Sequence, residues 1–131
     1  MTYVDSNVPM YLVGAPHPNK QRVVELVARL ISALEPLVTS AEAFQEIVHR
    51  YVAIGDRRHL DAAYEALETM VGQVAEVTKA DVDAARAHSA QYGGLSSRDC
   101  LHVAIMRRLG TAKIWTYDLA FERVPGVQRI C

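Results

Sequence analysis

The feature that most constrains the fold is a repeated pairing of a short β-rich run with an amphipathic helix. Thr2 to Asp5, Leu37 to Thr39, Gln73 to Val77 and Lys113 to Tyr117 read as strands, and Val127 to Ile130 reads as an edge strand. Between them the apolar residues keep a helical period. Val23, Leu26, Val27, Leu30, Ile31 and Leu34 do so from Lys20 to Leu34, and Pro36 closes that helix. Phe44, Ile47, Val48, Tyr51 and Val52 form a second stripe, with Ser40 placed to cap its helix. Leu60 to Val71 forms a third. Thr78 and Asp81 form a capping box for a helix reaching about Gln91. Ser96 or Ser97 caps the last helix, which is apolar on most sides from Cys100 to Leu109 and ends at Gly110. Pro9 restricts the helix after Ser6-Asn7-Val8 to a first-turn proline. Parallel strands need crossovers of this length, so the expectation is α/β, with a parallel sheet covered on both faces.

A chain of 131 residues is the size of one domain. Half of it is apolar, enough for a core. Its 14 Lys and Arg balance 15 Asp and Glu, unlike a general nucleic-acid binder, although a local basic rim is compatible with that total. No apolar run is long enough to span a bilayer and the start lacks the form of a signal peptide, so the expected location is cytoplasmic. Cys100 and Cys131 form no CxxC pair and read as a buried and a terminal thiol.

In an open parallel sheet, functional groups gather at the carboxyl ends of the strands. Asp5, Glu46, Asp99 and Asp118 are all candidates for that edge. Carboxylates crowded together repel unless a cation neutralises them, and hard oxygen donors suit Mg²⁺ or Mn²⁺. Such a site suggests phosphodiester chemistry. Each acid also has a plainer reading. Asp5 fits turn chemistry, Asp99 a helix start, Asp118 an N-cap, and Glu46 a solvated helix face shared with its competitor Glu42. The five histidines make no HxH, HExxH or Cys-His pattern and read as helix surface or core edge; His102 stands out for its closeness to Asp99. Ser96 and Ser97 lack a GxSxG context, and Gly93-Gly94 lacks the lysine of a phosphate loop. Arg98 and Arg123 adjoin the acidic cleft in sequence and are candidate phosphate contacts.

Four segments in series resemble the PIN domain family. They are Thr2-Tyr-Val-Asp5-Ser-Asn-Val, Thr39-Ser-Ala-Glu-Ala-Phe-Gln-Glu46-Ile-Val, Leu95-Ser-Ser-Arg-Asp99-Cys-Leu-His-Val-Ala and Ile114-Trp-Thr-Tyr-Asp118-Leu-Ala-Phe-Glu-Arg-Val-Pro-Gly-Val. The match covers nearly the whole chain, and its size resembles the VapC toxins of bacterial toxin–antitoxin pairs. The resemblance implies a three-layer α/β/α sandwich, residues 1–131 forming one PIN-like domain. It also implies a divalent-metal-dependent endoribonuclease acting on tRNA or rRNA, a VapB-type antitoxin as inhibitor and a homodimer. Carried over by position, Asp5, Glu46, Asp99 and Asp118 form the catalytic quartet, with Asp5, Asp99 and Asp118 holding Mg²⁺ or Mn²⁺, and Thr116 fills a hydroxyl position near the site. Ala120 replaces a further acid of many members, which leaves one or two metals open, and Cys100 replaces a usual Ala. A PIN-like module that binds RNA or protein without cutting is the alternative. A haloacid-type phosphatase needs an acid where Asn7 stands, and a receiver domain needs a late-strand lysine where Lys113 is too early. The helices over Lys20–Leu34 and Leu60–Val71 are candidates for an apolar groove that seats a partner helix.

Overall fold

The computed structural model describes residues 1–131. Five short strands form one sheet in the order β3-β2-β1-β4-β5. They are β1 (Thr2–Val4), β2 (Leu37–Ser40), β3 (Gln73–Ala75), β4 (Lys113–Trp115) and β5 (Gln128–Ile130). All four pairings are parallel, with Tyr3 opposite Val38 on one side and Ile114 on the other. Six α-helices cover the sheet: α1 (Asn7–Val13), α2 (Pro18–Ser32), α3 (Ala41–Ala53), α4 (Arg57–Met70), α5 (Lys79–Gln91) and α6 (Ser97–Leu109).

Strand alternation sorts side chains into two cores. Val4, Leu37 and Trp115 point to one face and pack with Val8, Val23, Phe44, Ile47, Leu60 and Leu67 from α1 to α4. Their neighbours Tyr3, Val38 and Ile114 point to the other, against Val103, Ile105 and Met106 of α6. This is the α/β/α sandwich expected from the alternation of elements. The all-round apolar character of α6 has the same cause. It lies against the sheet while α5 covers its outer side, and Cys100, His102, Val103, Ala104, Ile105 and Met106 are buried.

Several element ends and one cap differ from the sequence reading, among them the following. Helix α2 stops at Ser32, not Leu34. Glu35 precedes a proline and is steered away from helical backbone. Leu34 takes φ 54°, and its N–H and that of Glu35 donate to Ile31 and Leu30 carbonyls, the pattern of a left-handed helix stop. Strand β4 ends at Trp115, paired with Ile130 at the end of β5, and the Thr116 hydroxyl beyond it turns toward Asp5. Ser40 occupies the N-cap position of α3 but makes no side-chain cap; its hydroxyl is hydrogen-bonded to Tyr3 instead. The capping boxes of α5 and α6, built by Thr78 with Asp81 and Ser96 with Asp99, both form, and Gly110 ends α6 at φ 74°.

Candidate active site

The strand order places β1 between β2 and β4, so connections leave β1 and β4 in opposite directions and open a crevice beyond their carboxyl ends. Asp5 follows β1 directly and is 5 % exposed. It is held by donors. The Ser6 N–H reaches Oδ1 at 2.7 Å, while the Thr116 hydroxyl and the Asn7 amide reach Oδ2 at 2.7 and 3.3 Å. Asn7 also donates to Thr116 Oγ1 at 3.0 Å, and its carbonyl accepts from the Tyr117 N–H at 3.3 Å. The hydroxyl position expected at Thr116 is therefore a direct clamp between the ends of β1 and β4.

Glu46 enters from the second turn of α3, and His102 from α6. His102 Nε2 bonds the Glu46 carboxylate and lies 3.7 Å from Asp5 Oδ1. Its other nitrogen meets the Tyr3 hydroxyl at 2.6 Å, which in turn meets Ser40 at 2.6 Å. This chain fixes the imidazole ring in a site with no exposure at all. Asp5, Glu46 and His102 offer ligand atoms within 4.8 Å of one another. Glu42, one turn earlier, makes no hydrogen bond or ion pair with His102, although the His102 charge lowers its carboxyl; Glu46 makes both.

Asp99 stands at the third position of α6, half-buried, and its carboxylate accepts from the Ser96 N–H at 3.3 Å. Asp118 caps the 3-10 turn Leu119–Arg123 by accepting from the Ala120 N–H at 2.9 Å. The plainer roles of both acids, helix start and N-cap, are thus real. Neither acid joins the cluster of Asp5, Glu46 and His102, although the Asp118 charge raises the Asp99 carboxyl.

The electrostatics carry the mark of crowded carboxylates. Burial pushes the Asp5 carboxyl up, His102 pulls it back, and the Glu46 charge pushes it further. Burial raises Asp99 too, with Asp118 adding to it and the Ser96 N–H opposing. Burial would depress His102, but the Tyr3 contact, the Glu46 hydrogen bond and the Asp5 and Glu46 charges hold it well above its ordinary value. The same imidazole lowers the Asp5 and Asp99 carboxyls, against their burial and the charges of Glu46 and Asp118. The carboxylate oxygens suit a hard divalent cation, while His102, hydrogen-bonded through both ring nitrogens, orients Glu46.

His102 is the residue that sequence reasoning under-read. Its signal was the three-residue step from Asp99, which puts both on neighbouring positions of one helix face. Asn7 had no signal beyond a turn-forming triplet.

Fold and site together define a three-layer α/β/α protein with an acidic crevice at the carboxyl edge of its parallel sheet. The chain belongs to the PIN domain family, whose model matches residues 2–127. It is 42 % identical over 130 residues to ribonuclease VapC13 of Mycobacterium tuberculosis, covering 99 % of each chain. Among solved structures it resembles VapC20 of the same species, a sarcin-ricin loop cleaving toxin, with a TM-score of 0.70 at 22 % identity over 90 % of each chain. A toxin–antitoxin complex from Klebsiella pneumoniae matches with a TM-score of 0.65 at 15 % identity, covering 98 % of this chain and 96 % of that one. No helix is long and apolar enough to cross a membrane.

Proposed function

We propose that this chain is the toxin of a type II toxin–antitoxin pair, an endoribonuclease that hydrolyses RNA phosphodiester bonds at the acidic crevice with Mg²⁺ or Mn²⁺. The observation that carries the reading is the convergence of Asp5 and Glu46 on His102 at the switch point of the sheet. Its support from outside the chain is the likeness to VapC13 along the full length.

Asp5, Asp99 and Asp118 would hold the cation, with Glu46 and His102 next to it. When bound, the cation would supply charge neutralisation for the phosphate oxygens and an acidified water. The chain's own part is positioning. Asn7 and Thr116 fix Asp5 in one rotamer by donating to it. His102, anchored through Tyr3, holds Glu46 at the crevice, where a carboxylate orients the attacking water and takes its proton. Burial of Asp5 and His102 keeps solvent from screening these charges.

The antitoxin reading has a matching surface. Leu12, Val27, Ile31, Ala62, Ala66 and Met70 line a cavity of about 630 Å³ between α1, α2 and α4. Ile31 is 65 % exposed at its rim. This is the groove expected from the two amphipathic helices, and it suits the apolar face of an antitoxin helix.

The test is cleavage of labelled structured RNAs by purified protein with Mg²⁺, with Mn²⁺ and with chelator, beside Asp99→Asn. Metal-dependent cutting that the substitution abolishes is the expected result. Cutting that persists in chelator, or at full rate in Asp5→Ala, refutes the assignment of the site.

A further inference from the structure

A second cavity, of about 350 Å³, adjoins the acidic crevice between the first turn of α3, the outer face of α5 and the first turn of α6. Its apolar wall is Val82, Ala85 and Leu101, and its polar rim carries Glu42, Arg86 and Arg98. The two sites are neighbours along α3 and α6. Glu42 is one helical turn from Glu46, and Arg98 precedes Asp99 in the chain. Burial raises the Glu42 carboxyl, the Glu46 charge raises it further, and His102 and Arg98 lower it, so Glu42 senses the crevice and the cavity rim together.

The three charged residues of this cavity have no partner in the chain. Neighbouring side chains on α5 and α6 are tied down: Lys79 to Asp83, Arg108 to Asp81, Arg107 to the Tyr92 hydroxyl. Glu42, Arg86 and Arg98 make no side-chain hydrogen bond or ion pair. Two free guanidinium groups suit phosphate oxygens, an apolar wall suits the face of a base, and a free carboxylate needs N–H donors. Among the RNA bases, guanine presents two adjacent N–H donors on its pairing edge, which match the two oxygens of one carboxylate. Adenine, cytosine and uracil each set an acceptor beside their donor.

Resting on the ribonuclease reading above, we propose that this cavity binds the unpaired nucleotide next to the scissile phosphate, with Arg98 and Arg86 on its phosphate and Glu42 reading guanine. The occupant is single-stranded RNA. A protein segment would not need a carboxylate aimed at a base edge, and a duplex would bury that edge in its own pairing.

The test is binding of fluorescein-labelled RNA pentamers in chelator, where nothing is cut. Four probes differ only in the central base, G, A, C or U, and each is titrated with wild type, Glu42→Gln and Arg98→Gln. The G pentamer is expected to bind about tenfold more tightly than the others, in the range of one good base contact. Glu42→Gln should level the four, and Arg98→Gln should weaken all four alike. Sequencing the ends left by cleavage of a randomised RNA in Mn²⁺ gives the second readout: guanine enriched beside the cut for wild type and not for Glu42→Gln. If wild type cuts RNA but Glu42→Gln leaves both patterns unchanged, the inference fails and the ribonuclease reading stands. If wild type neither binds nor cuts any RNA, both fail. If the variants treat RNA as wild type does but lose hold of the antitoxin, the cavity is a protein contact and the inference is overturned.

Discussion

Asp81 is 3 % exposed and carries two tasks. It closes the capping box of α5 by accepting from the Thr78 N–H at 2.9 Å. It also receives both Arg108 Nε at 2.8 Å and Nη2 at 2.9 Å, a two-pronged pair that ties the start of α5 to the end of α6. Arg108 reaches further, to the Glu76 carbonyl at 2.7 Å. The Arg108 hydrogen bonds, opposed by burial and helped by Thr78, hold the Asp81 carboxyl down to about 2, against an ordinary 3.8. That difference corresponds to about 2.4 kcal/mol at neutral pH. Arg108 is 37 % exposed, and solvent screening reduces the expected figure to about 2 kcal/mol. Because the folded value lies below the unfolded one, the contribution is complete above 3.8 and is lost as pH falls through about 2. Asp81→Asn should therefore lower stability by about 2 kcal/mol at pH 7, near 7 °C in Tm for a domain of this size. The gap should shrink to about half near pH 3. Equilibrium urea unfolding followed by Trp115, the one tryptophan and fully buried, reads it directly. A gap under about 0.5 kcal/mol at pH 7, or one that stays constant down to pH 3, would refute the linkage reasoning. So would Arg108→Gln costing as much in the Asp81→Asn background as in wild type, since only its Glu76 carbonyl contact would then be left to lose.

Other expectations follow from single contacts. Leu34 holds φ 54° with its side chain 87 % exposed, so Leu34→Gly should raise stability by about 0.5–1 kcal/mol in the same urea assay; a loss would show that the side chain packs against something. Tyr3→Phe removes the hydroxyl shared by Ser40 and His102 and should cost about 1–3 kcal/mol, with the loss read by thermal unfolding; an unchanged Tm would mean both neighbours find other partners. Ile31→Asp places a charge at the rim of the apolar groove. It should weaken antitoxin binding by at least about tenfold in calorimetry and leave metal-dependent RNA cleavage intact; equal affinity would move the antitoxin elsewhere.

The layering of the molecule was legible because it rests on period. The stripes from Val23 to Leu30 and from Leu60 to Leu67 are buried as their spacing requires. So was the family, through four short segments in series. Ends were less legible, because they depend on competition. The apolar pattern through Ile31 and Leu34 would continue α2, yet the backbone before Pro36 cannot. Ser40 has cap chemistry, but a tyrosine 37 residues away captures its hydroxyl. The acids were visible as types near strand ends; their grouping was not, because Glu46 meets His102 across 56 residues. A histidine without a metal-ligand spacing looks like core until the sheet places Tyr3 and Glu46 on its two nitrogens.

The clamp between Asp5 and Thr116 joins residues 111 apart in a chain of 131. Closing so long a loop is slow, and nothing local rewards it before β4 slides in beside β1. The crevice is consequently among the last things the chain can assemble. During synthesis Asp5 emerges first and waits through every helix for its hydroxyl partner. A chain clipped before Lys113 keeps three of the four acids and has no place to aim them. Whatever chemistry the crevice performs therefore waits on the last strands, a dependence written in topology.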